Sequence, residues 1–143
     1  MINFIPSITS TSAALDAERT RLEVIAQNIA NSNTTRGLDG RPYQRQQVVF
    51  ETALQCAQVK DGKSMPVSGP QVSRIQKDSR PGPTVSQPGH PDADSNGMVQ
   101  LPNVNIYEEM ADMIVASRTY EANLAVFKNG RSMAMQALSI GKH

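Results

Sequence analysis

Two histidines and one cysteine bound the covalent chemistry open to this 143-residue chain. Nucleophilic catalysis needs a nucleophile, a base and an orienting group within mutual reach. His90 lies in Pro88-Gly89-His90-Pro91, a loop between two prolines, with no Gly-x-Ser-x-Gly elbow nearby to supply the nucleophile. His143 is the last residue, where chain ends usually fray. Cys56 has no base at a diagnostic spacing and reads as a small apolar side chain. No glycine-rich phosphate loop and no acid/base pair of carboxylates is evident. The expectation is a protein that is not an enzyme and has no cofactor.

One stretch has the spacing of a metal site. Asp92-Ala93-Asp94-Ser95-Asn96-Gly97 matches the first half of a calcium-binding EF-hand loop, with oxygen ligands at positions one, three and five and the turn glycine at six. The second half fails. Position twelve, which should be a bidentate Glu, is Asn103, and Pro88 and Pro91 forbid the entering helix. The alternative is that these Asp and Asn side chains bond local backbone amides and hold a tight turn. No metal is expected.

The wider composition agrees with a non-catalytic role. Hydrophobic residues make up 38% and aromatics 4%, with no Trp, so a large single core is not expected. Fourteen basic and thirteen acidic residues leave a net charge of +1, which provides no global field for nucleic acid or an anionic membrane. One cysteine excludes an internal disulfide framework. No stretch is apolar enough to insert in a membrane, and the first basic residue is Arg19, so the start lacks the basic region of a cleavable signal.

Proline and glycine divide the chain into three parts. Residues 61–103 hold seven of the nine Pro and five of the nine Gly, which excludes a long helix there. Residues 7–35 and 103–140 hold no Pro and one Gly, and both read as helix. In the first, Ile8, Leu15, Leu22 and Ile29 recur every seven residues, with Ile25 and Ala26 on the same side. Its start is expected within Ser7 to Ser12 and its end within Asn31 to Thr35. In the second, Ile106, Met110, Met113, Ser117, Tyr120, Leu124, Phe127, Arg131, Ala134 and Leu138 follow a 4,3 heptad, interrupted by Ser117 and Arg131. Glu108 and Glu109 at its start suit the helix dipole. The middle reads as short strands at Gln46 to Glu51, Val72 to Ile75 and Met98 to Leu101, a small hairpin-like excursion.

The fold class expected is therefore mainly α. Residues 1–35 and 103–143 supply two long terminal helices that pair as an antiparallel coiled-coil-like domain, and residues 36–102 form a β/loop-rich middle. Two paired helices leave their flanks exposed, and the middle has too little apolar surface to cover them. Neighbouring chains are the natural third layer. Repeated contacts between unlike faces build rings or helical filaments, so the pattern favours an assembly subunit with weak order in isolation.

At the end of the first helix, Ala26-Gln27-Asn28-Ile29-Ala30-Asn31-Ser32-Asn33-Thr34-Thr35 resembles the signature of bacterial flagellar rod and hook axial proteins. Arg41-Pro42-Tyr43-Gln44-Arg45-Gln46-Gln47-Val48-Val49-Phe50, the loop from Pro88 to Gly97, Pro102-Asn103-Val104-Asn105 and Ala116-Ser117-Arg118-Thr119-Tyr120-Glu121-Ala122-Asn123 are similar to the proximal rod members of that family. Position 98 is Met where those proteins usually have an aromatic, and residues 56–86 match only loosely.

The resemblance implies a structural subunit of the proximal rod of the basal body, carrying motor torque across the periplasm and exported without a cleavable signal by the flagellar type III apparatus. Its implied partners are other proximal and distal rod proteins and copies of itself. Leu15, Leu22, Ile29, Met113, Tyr120, Leu124 and Phe127 are expected to carry the helix packing, and Asn28, Asn31, Asn105 and Asn123 to fix subunit register through polar bonds. Two alternatives stand beside this reading: another axial rod-type subunit, and a calcium-regulated adaptor using Asp92 and Asp94.

Overall fold

The computed structural model describes residues 4–58 and 64–140, with the side chains of 4–7, 53–58 and 64–68 excepted. The side chain of Cys56 and the terminal His143 thus lie outside the described residues. The element order is α1 (Phe4–Ala30), β1 (Gln46–Gln58), β2 (Ser64–Lys77), β3 (Thr84–Ser86), β4 (Met98–Gln100) and α2 (Ile106–Ile140).

The helix α1 begins at Phe4, earlier than the hydroxyl-rich stretch suggests. Pro6 falls in the first turn, where its missing N–H has no intrahelical acceptor to lose. At the other end, side chains reinforce the last bonds of the helix ladder. Asn31 Nδ2 donates to Gln27 O at 2.8 Å and Ser32 Oγ to Ile29 O at 2.8 Å, each adding to the backbone amide of the same residue, which donates to the same carbonyl. Asn105 caps α2: its Oδ1 accepts from Tyr107 N at 3.1 Å, and its Nδ2 donates to Glu108 Oε1 at 3.0 Å.

The two helices pack against each other, but the buried column of α2 is rotated from the heptad expected. Met113, Tyr120, Phe127 and Ala134 are half-buried, as one column of the heptad predicts. The most buried second column is Glu109, Ala116, Asn123 and Gly130; of the column expected, Ser117 and Leu124 are half-buried, whereas Met110, Arg131 and Leu138 are exposed. Helical pairs accept small residues in a seam because they let backbones approach, and a pattern that counts only large apolar residues misses them. With this rotation Arg131 no longer interrupts the seam.

A second correction concerns the third layer. β1 and β2 form a long antiparallel hairpin rather than short strands, with Gln46 opposite Lys77 and Gln58 opposite Ser64. The register slips between Val49 and Phe50, where Ser73 on β2 is the extra residue of a bulge. Pro66 and Pro70 lie within β2, which is possible because a two-stranded sheet leaves one edge of each strand unpaired. This hairpin packs on α1. A Cβ added at Gly69 would sit 3.4 Å from Ala13 Cβ, so strand and helix meet through small residues. Ala17 and Val24, both buried and one heptad apart, make this second stripe of α1, while Ala26 is exposed.

β3 and β4 pair antiparallel and enclose the loop containing His90 and Asp92. Gly82, just before β3, lies so close to the other strand that a Cβ there would come within 1.9 Å of Leu101 O.

Candidate assembly interface

The half EF-hand is a folded turn in which Asp92 and Asp94 are already engaged. Asp94 Oδ1 accepts from Asn96 N and Met98 N, each at 2.8 Å, which stitches the loop to β4. Gly97, at φ 73°, completes the reversal in a conformation that side chains disfavour. Asp92 turns away: its Oδ2 accepts from Thr35 Oγ1 at 2.8 Å, and Arg36 lies 3.5 Å from its Oδ1. His90 Nδ1 accepts from Asp92 N at 3.1 Å, which occupies that ring nitrogen. Among the described residues no group of three or more His, Cys, Asp or Glu is placed to hold a metal ion. The loop thus docks onto the turn after α1, a link between Thr35 and Asp92 with no signature in the local sequence.

The densest polar cluster lies where the end of α1, the start of α2 and the stem of the hairpin meet. Asn28 is 1% exposed and uses all four of its hydrogen-bonding positions within the chain. Its Nδ2 donates to Gln46 O at 2.8 Å and to Glu109 Oε2 at 3.0 Å. Its Oδ1 accepts from Gln46 N at 2.9 Å and from Tyr43 Oη at 2.9 Å. The side-chain amide therefore pairs with both backbone groups of Gln46, as a neighbouring strand residue would.

Glu109 is 0% exposed, and its other oxygen receives Arg45 Nε in an ion pair. Arg45 reaches on to Asp112 at 3.5 Å, Arg21 of α1 lies 3.8 Å from the same carboxylate, and Glu18 lies 3.8 Å from Arg21. Asn103 ties the stem together, accepting from Arg45 N at 2.7 Å and donating to Asp78 O at 3.2 Å and Arg80 O at 2.9 Å. Burial, and secondly the charge of Glu109, pushes the Tyr43 hydroxyl above its ordinary value of 10.0. Arg80 beside Asp78 holds that carboxyl at about 2. The dipole account of Glu109 was incomplete, because a carboxylate in the buried column needs a specific partner. Its position four residues before Met113 and seven before Ala116 was the available signal.

The opposite end of α2 is the reverse. Val115, Val126, Met133 and Ile140, spaced by 11, 7 and 7 residues, lie on one line of the helix and are 54%, 59%, 55% and 77% exposed. This line runs one residue, about 100°, round from the column of Phe127 and Ala134. Asn28 and Glu109 bring the helices nearly flush at the stem, yet α2 has 35 residues and α1 has 27. The excess, about 12 Å at 1.5 Å per residue, falls at the far end. Met135 and Leu138 there are exposed as well.

The residues singled out for packing divide accordingly. Leu15, Leu22, Ile29, Met113, Tyr120, Asn123, Leu124 and Phe127 are half-buried on the two helices, Asn31 closes α1 and Asn105 caps α2. The sequence reading missed the exposed line of α2 because its residues lie outside the heptad it followed. No described helix is long and apolar enough to cross a membrane.

Comparison with known proteins gives the same family from both ends of the chain. Residues 9–36 match the family described as "Flagella basal body rod protein", and residues 95–140 match "Flagellar basal body rod FlgEFG protein C-terminal". The chain is 43% identical to the flagellar basal-body rod protein FlgC of Borreliella burgdorferi, covering 94% of this chain and 95% of that one. It is 40% identical to FlgC of Yersinia enterocolitica, covering 91% and 92%, and 35% identical to FlgC of Bacillus subtilis, covering 95% and 97%. The chain belongs to the FlgC family of flagellar basal-body rod proteins, which are structural subunits and not enzymes.

Proposed function

We propose that this rod subunit transmits motor torque through an assembly in which its two helices pair as an antiparallel coiled coil and neighbouring subunits cover the outer side of α2. The observation that carries the reading is the exposed apolar line Val115, Val126, Met133 and Ile140 on a helix that outreaches its own partner. A line of large apolar side chains at helical spacing is what a further helix packs against. Two contacts support the antiparallel order, because Asn28 meets Glu109 and the earlier residue Arg21 meets the later residue Asp112.

Within this reading Leu15, Leu22, Ile29, Met113, Tyr120, Leu124 and Phe127 hold the pair together, and their remaining exposed surface meets neighbours. Asn31, Asn105 and Asn123 add polar contacts at the subunit boundary, and Asn28 acts inside the chain. The partners are other proximal and distal rod proteins and further copies of this chain, in the periplasmic part of the rod. The subunit reaches them through the flagellar type III export apparatus. Neither nucleic acid nor membrane insertion enters its role.

Val126→Asp and Met133→Asp test the reading in cells lacking the native gene. The expected result is a secreted, undegraded chain and cells with no hook or filament. Normal motility with both variants would overturn it.

A further inference from the structure

Three segments far apart in sequence meet at the stem, and none of them satisfies its buried polar groups without the other two. Glu109 on α2 is fully buried, and its two oxygens are served by Arg45, from the segment leading into β1, and by Asn28 on α1. Asn28 in turn requires both backbone groups of Gln46, the first residue of β1. If the hairpin stem lifted away, Glu109 would lose its cation and Asn28 would lose three of its four hydrogen bonds, because Tyr43 belongs to the same segment. If α2 lifted away, Arg45 would lose Glu109 and Asp112 together. Removing one partner of a buried ionic pair costs far more than the pair contributes, since it leaves an uncompensated charge.

We infer that Asn28, Arg45 and Glu109 are positioning residues that couple docking of the β1–β2 hairpin to pairing of α1 with α2, so that hairpin and helices fold, and move, as one body. Further along, the hairpin approaches α1 closely at Ser10, Ala13 and Gly69. The stem cluster supplies the angle, because the paired amide of Asn28 fixes Gln46 in both distance and direction. For a subunit of a rotating shaft, this makes the hairpin follow the helices instead of hinging on residues 31–45. The inference concerns contacts within the chain and stands independently of which neighbours cover α2.

Hydrogen exchange on the full-length chain, read by mass spectrometry, tests it through two segments: Gln46 to Phe50 of the hairpin, and Glu109 to Ala116 of α2. In Asn28→Ala both segments should exchange faster by the same factor, about 100-fold, the population effect of leaving Glu109 Oε2 and both backbone groups of Gln46 without their buried hydrogen-bond partner. A change confined to the helices, or a native chain whose helices are protected while the stem exchanges freely, would overturn the coupling. A second comparison separates positioning from bulk stability. Asn28→Asp removes the donor and places two carboxylates together, and adding Glu109→Gln restores a donor to that contact with its direction reversed. The double variant should exchange at least about tenfold more slowly than Asn28→Asp alone in both segments. If the two substitutions simply multiply, Asn28 and Glu109 do not act as a unit and the inference fails.

Discussion

The two ends of the helix pair solve the problem of a small core in opposite ways. At the stem, Asn28, Tyr43, Arg45, Gln46, Asn103 and Glu109 bring nearly every buried polar atom to a partner inside the chain. At the far end, Met133, Met135, Leu138 and Ile140 leave large apolar side chains in water. A polar cluster tolerates burial only when complete, whereas an apolar line is indifferent to which apolar surface covers it. The stem is suited to fix geometry within a subunit, and the far end to join subunits.

Substitutions at the stem should have the largest effects on the chain itself. Glu109→Ala leaves Arg45 only the half-exposed Asp112 and strands one donor of Asn28, and should destabilise by about 3–5 kcal/mol in denaturant unfolding of the full chain. A loss below about 1 kcal/mol would mean that the stem is solvated and the contrast between the ends is false. Gly82→Ala drives a methyl group into Leu101 O and must displace one strand of the small sheet. A loss of about 1–3 kcal/mol is expected by the same measurement, with the shifted β3–β4 pairing visible in backbone amide spectra.

Asn105→Ala removes the cap of α2 beside the stem and should cost about 1 kcal/mol, while Asn105→Asp retains most of it. Tyr43 sharpens the comparison through pH. Its folded pKa is raised, so its stabilising contribution is complete below about pH 10 and disappears as the pH climbs through the folded value. Tyr43→Phe should flatten the alkaline limb of stability while leaving neutral-pH stability lower by about 1 kcal/mol, the net value of one hydrogen bond. An unchanged alkaline limb would place the hydroxyl in solvent. At the far end Met133→Glu should alter chain stability by less than about 0.5 kcal/mol, because the side chain already meets water.

Much of this architecture was legible in the amino-acid pattern. Proline-free ends and a proline-rich middle mark out helices and strands, because proline acts through local backbone geometry that does not depend on the fold. One column of the α2 seam, Met113, Tyr120 and Phe127, followed from spacing alone. The other column did not, since Glu109, Ala116, Asn123 and Gly130 are not apolar enough to register, and larger neighbours such as Met110 drew the heptad round by one residue. The long hairpin was hidden because alternation in β1 and β2 is weak and α1 covers only part of it. The stem cluster was invisible for a different reason: its members are up to 81 residues apart, and only the folded chain brings Asn28 to Glu109.

The central claim is that α2 presents its exposed line to neighbouring subunits, and it can be measured directly at Met133. Met133→Cys, in a chain also carrying Cys56→Ser, should react rapidly with a soluble maleimide in the isolated subunit and be protected at least about tenfold in purified basal bodies. Equal labelling in the isolated chain and in the assembled rod would contradict the account.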